Sequence, residues 1–145
     1  MLLLLGSTLG GAAQAQSNER LDELLGQSPA HLDAAAYLIL AATHLIPESA
    51  SESEAFAKAV SLGLLKSNRK PTEGTTVQDL SFLVMAVLKI RGGLEWTYAP
   101  NPRAAYRELS YLSLINTSDG PDRLVAGDEV VRTLIAGQTY QEIHR

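Results

Sequence analysis

AFAKAVSLGLLKSNRKPTEGTTVQDLSFLVMAVL, Ala55 to Leu88, sets two apolar helical stripes on either side of one polar loop. Phe56, Ala59, Val60 and Leu64 recur at helical spacing and form one apolar stripe. The acidic residues Glu52 and Glu54 just upstream suit the positive end of a helix, so this helix is predicted over 51–65. KSNRKPTEG, 66–74, is a polar loop. Thr75 or Thr76 then caps a second helix, and Asp79 stands three residues after Thr76, at capping-box spacing. Leu80, Leu83, Val84, Val87 and Leu88 carry its stripe until Arg91-Gly92-Gly93 stops it. The unit is therefore helix, loop, helix.

The same pattern recurs on both sides. Downstream, AYRELSYLSLI (Ala105 to Ile115) lies over AFAKAVSLGLL, with Phe56 on Tyr106, Ala59 on Leu109, Leu62 on Leu112 and Leu64-Leu65 on Leu114-Ile115. This helix opens at Asn101-Pro102 and turns Tyr106, Leu109, Leu112 and Tyr111 inward. NTSDGP (116–121) is its loop, and a further helix covers 127–136, with Glu129 placed like Asp79. Upstream, NERLDELL (18–25) is a short helix that Asn18 can cap and Gly26 ends. Ser28 as cap and Pro29 in the first turn open the next helix, which extends to about Ile46. Its run AAAYLILAATHL is apolar nearly all round, so it is predicted to be the most buried helix. The expected fold is all-α, about six helices as three helix–loop–helix pairs in one bundle, because a lone pair cannot bury its apolar faces.

A helix ending in Gly-Leu-Leu, a polar loop, and a Thr-led helix with an early acid resemble the S-layer homology repeat over 55–136. The family's Thr-Arg-Ala-Glu run falls on Thr76-Val77-Gln78-Asp79 and on Ala126-Gly127-Asp128-Glu129, without the arginine. The resemblance implies three tandem copies, an all-α bundle and binding to a cell-wall polymer. RGGLEWTYAPNPRAAYREL (Arg91 to Leu109) is similar to a segment of small, uncharacterised exported helical proteins of spirochaetes, which implies location rather than activity.

Composition bounds the function. The 145 residues suffice for one domain with a real core. A net charge of −4 with scattered basic residues argues against a general nucleic-acid or anionic-membrane binder. Absence of cysteine excludes disulfides, thiolate metal sites and cysteine nucleophiles. MLLLLGSTLGGAAQA, 1–15, has a short apolar run and an Ala13-Gln14-Ala15 cleavage pattern. It is read as a secretory signal peptide, leaving a domain at 16–145 that is exported to the periplasm or envelope. No stretch reaches the length of a transmembrane span.

Chemistry-bearing motifs give little. His31, His44 and His144 lack the spacing of a helical zinc pair, and His44 beside an apolar helix end reads as structural. The 116–122 loop places Ile115 and Ala126 where calcium-loop carboxylates belong. Asp22/Glu23, Glu52/Glu54 and Asp128/Glu129 are explained by helix starts and exposed turns. No nucleophile elbow or phosphate loop is present. The expectation is thus no enzyme, no cofactor and no metal. The candidate binding surface is Trp96, Tyr98, Arg103, Tyr106 and Arg107, stiffened by Pro100 and Pro102, since Trp, Tyr and Arg dominate binding hot spots. Trp96 and Tyr98 also suit a plug between the second and third helix pairs, a reading compatible with the first because a ring can be half buried. The function expected is a non-enzymatic envelope protein that binds a protein partner or cell-wall glycan. The alternative is a structural adaptor of an envelope assembly.

Overall fold

A computed structural model of the chain describes residues 8–145, with side chains from Ala15 onward. The expected leader at 1–15 begins outside the described residues, and 8–15 is the first part of a helix. Seven helices and no strands are found among the described residues: α1 (Thr8–Leu25), α2 (Leu32–Ala42), α3 (Glu52–Ser61), α4 (Val77–Leu88), α5 (Leu94–Tyr98), α6 (Pro102–Tyr111) and α7 (Gly127–Ile143). The all-α bundle is as expected. None of these helices is long and apolar enough to cross a membrane.

The helices end earlier than their apolar stripes do. His44, Gly63, Lys89 and Ser113 all adopt left-handed backbone, with φ of 60°, 75°, 55° and 58°. The next residue in each case, Leu45, Leu64, Ile90 or Leu114, donates its N–H to the carbonyl five residues back, at 2.9–3.0 Å. That bond closes a Schellman-type turn and spends the last free carbonyls. So α2 stops at Ala42 rather than Ile46, and α3 at Ser61 rather than Leu65.

The helix starts explain the assembly. Ala30, Thr75 and Val125, fully buried, precede α2, α4 and α7. Ala30 N–H donates to Val125 O (2.8 Å), Val125 N–H to Thr75 O (2.9 Å), and Thr75 N–H to Ala30 O (2.9 Å). The three bonds form a closed ring. A second set repeats it two residues on: Leu32 N–H to Glu73 O, Val77 N–H to Arg123 O, and Gly127 N–H to Gln27 O, each 2.9 Å. Three equivalent backbone segments thus tie the starts of the three long helices together. This corrects the expected start of α2: 30–32 is bonded to the 73–75 loop and to Val125, so Ser28 is no cap and the helix begins at Leu32, with His31 as an N-cap that makes no side-chain bond.

Around that ring, α3 packs on α2 and α6 on α4, while α3 does not touch α4 and α6 does not touch α7. Each short helix leans on the long helix before it, so the pairs interlock. α2 and α4 together form the centre, α2 touching α1, α3, α4 and α7 and α4 touching α2, α6 and α7. In α2 every residue except Asp33, Leu38 and Ala42 is buried, as its composition predicted. Tyr111 departs from expectation. It is 86% exposed, because the turn around Ser113 directs Leu109 and Leu112 inward instead.

Candidate functional site

α4 carries its cap as predicted. Asp79 N–H donates to Thr76 Oγ1, and Thr76 N–H donates to Asp79 Oδ2, both 3.1 Å. Arg69, from the loop before α4, adds a bidentate pair to the same carboxylate at 2.9 and 3.0 Å, and also meets Glu73. At α7 the equivalent acid is Glu129, and Arg123 holds it bidentately at 2.9 and 2.6 Å. The charges have exchanged places in the two loops. The segment around Leu64 has Arg69 and Glu73; at the matching offsets after Leu114 stand Asp119 and Arg123. In both, a guanidinium reaches the acid at the helix start. The carboxylate hydrogen bonds raise the pKa of both arginines, Asp79 acting on Arg69 and Glu129 on Arg123. These clamps were not foreseen, since the two arginines stand at different distances from their acids.

One side of α4 lines a groove. Gln78, Asp79 and Phe82 face a depression of about 770 Å³, closed by Leu64 and Lys66 just after α3 and by Pro100, Pro102 and Arg103 at the start of α6. Met85, Ala86 and Lys89 continue along the helix into a second depression of about 550 Å³, walled by Arg91, Trp96 and Pro100. The positions 78, 79, 82, 85, 86 and 89 are one face of a helix. The two depressions meet at Pro100. Lys89 and Arg91 also border a third, with His144 and Arg145. Lys66, Lys89, Arg91 and Arg103 have no carboxylate partner among the described residues. Cations scattered in sequence therefore line adjoining depressions along α4 in an otherwise acidic chain.

The predicted surface residues divide. Trp96 is half-buried and set edge-on to Phe82, ring centroids 5.7 Å apart at 77°, with Gly92 against it. It plugs the space beside α4 and at the same time forms a wall of the groove. Arg103 lines the groove. Tyr98 is 82% exposed on α5, a short helix in a segment expected to be irregular. Tyr106 is half-buried and points its hydroxyl at Thr117 O, 3.4 Å away. Arg107 pairs with Glu95 at 2.8 Å on the surface. Trp96 and Arg103 are thus brought to one groove, while Tyr106 and Arg107 are engaged elsewhere. Lys66, Phe82, Lys89 and Arg91 join the groove unforeseen; the signal was the α4 face, whose spacing was read only for its core side.

His44 is exposed and acts through its left-handed backbone, correcting the structural reading of its ring. His144 stacks on Tyr140 at 4.0 Å, and His31 forms an isolated bridge with Gly74. Among the described residues no group of three or more His, Cys, Asp or Glu could hold a metal ion. The chain matches no protein family, no curated protein and no solved structure.

Proposed function

We propose that this chain is a non-enzymatic, exported protein of the cell envelope whose α4 groove binds a chain-like partner, either a protein segment or a cell-wall glycan. One observation carries the reading: an elongated groove with an apolar floor and four cations without carboxylate partners. Concave sites with a few convergent polar groups are the usual ligand surfaces. Unpaired cations on them attract opposite charge and set orientation. The likeness to S-layer homology repeats and the leader pattern at 1–15 favour an envelope setting.

Co-sedimentation of the full chain with purified cell-wall sacculi tests this, with sacculi used both as isolated and after protease stripping. Pelleting with both, lost in a Lys66→Glu/Arg103→Glu variant, indicates glycan. Pelleting only before stripping indicates a wall-attached protein. A chain that stays in the supernatant with both overturns the proposal.

A second reading, the adaptor, is favoured by a different surface. Leu94 and Tyr98, one turn apart on α5, are 76% and 82% exposed. Apolar side chains held out in this way are commonly covered by a partner. Loss of assembly in a Leu94→Ser/Tyr98→Ser variant with an intact groove would favour it.

A further inference from the structure

We infer that the α4 groove takes an extended acidic peptide segment of a partner protein; this rests on the groove being the binding surface. Three observations select that chemistry. The first is charge. The groove walls present Lys66, Arg103, Lys89 and Arg91 without carboxylate partners, and the one acid in the lining, Asp79, is consumed by Arg69 and Thr76. A bound carboxylate therefore meets cations that no resident acid neutralises.

The second is the floor. Phe82, Ala86 and Pro100, each at least partly exposed, lie between the cations. A ligand that alternates acidic and apolar side chains satisfies both. A sugar polymer stacks its ring faces on open aromatic faces, and the lining offers only two rings, Trp96 and Phe82, both half-buried and set edge to face against each other.

The third is shape. The face of α4 from Gln78 to Lys89 spans about 16 Å at ~1.5 Å per residue. That length holds roughly five residues of extended chain. The recess is concave, which suits a strand-like segment and not a flat bilayer.

The test uses the full chain and a fluorescein-labelled peptide alternating glutamate with leucine, followed by anisotropy. A twin with glutamine for glutamate, polygalacturonate and phosphatidylglycerol vesicles are the other probes. The expected result is binding of the acidic peptide at least tenfold tighter than of its twin. Lys66→Glu/Arg103→Glu should lose at least tenfold, and Lys58→Glu, an exposed cation outside the groove, should keep it. Circular dichroism confirms that both variants fold. Binding of polygalacturonate but not peptide, with the same variant loss, overturns the peptide and leaves the groove standing. Binding of vesicles alone overturns the peptide in favour of a lipid surface. No binding to any probe overturns both the peptide and the groove reading.

Discussion

Asp79 shows how much one side chain does here. It completes the capping box of α4 and receives both arms of Arg69 while almost fully buried. Its removal leaves the Thr76 N–H without its side-chain acceptor and the half-buried Arg69 guanidinium with Glu73 alone. Breaking a buried pair from one side typically costs about 3 kcal/mol. Asp79→Ala is therefore expected to lower the unfolding free energy in urea by about that much. Glu129→Ala should cost about 2 kcal/mol, since Glu129 belongs to a similar clamp but caps nothing. Thr75 gives the opposite sign. It occupies the buried ring with Ala30 and Val125, and its hydroxyl finds no partner. Thr75→Val keeps the shape, removes the orphan and should gain about 1 kcal/mol. Glu52 supplies a pH signature. Burial, then Asp33 and Glu23, push its carboxyl above the ordinary range. The folded state thus binds that proton more tightly, and stability from this group falls as pH rises through the raised value. Glu52→Gln should raise Tm slightly at pH 7 and leave it unchanged at pH 3.

At the scale of elements, close approaches decide the packing. A Cβ at Gly127 would overlap the Leu24 carbonyl, where α7 starts against the end of α1. Gly127→Ala should push α1 away, seen as protease cleavage near 18–25 ahead of global unfolding. A Cβ at Gly137 would meet side-chain atoms of Leu88 and Val84 at 2.9 Å and of Ile90 at 3.7 Å. Gly137→Ala should therefore cost about 1 kcal/mol. These contacts were invisible in sequence, because they join segments 103 residues apart at Gly127 and about 50 apart at Gly137. What was legible was local. The 3.6-residue stripe of α4, the Thr76–Asp79 cap and the Asn101-Pro102 start of α6 are set by neighbours in the chain. The early helix ends were not, since Leu45, Leu64 and Leu114 continue the apolar pattern one turn past the last helical residue. They are the hydrophobic partners of the left-handed turn, not further helix.

At the scale of the whole molecule, the interlocking of three long helices around one ring gathers what the sequence disperses. Lys66, Lys89, Arg91 and Arg103 fall on a loop, a helix end, a glycine turn and a helix start. Their convergence depends on where α3 and α6 lean, which periodicity cannot give. The aromatic segment was legible as a candidate surface, yet its tyrosines and arginines separate once folded, and only Trp96 and Arg103 border the groove. Because the lining is basic and partly open, ligand binding should weaken as salt screens it over a Debye length of about 8 Å at physiological ionic strength. The most direct measurement is the map of backbone amide shifts in the ¹⁵N-labelled chain as the acidic peptide is titrated. Perturbations confined to 63–69, 78–91, 96–97 and 101–103 are the expected result. Perturbations centred on Leu94, Tyr98 and Tyr111, or none at all, would contradict the groove as the binding surface.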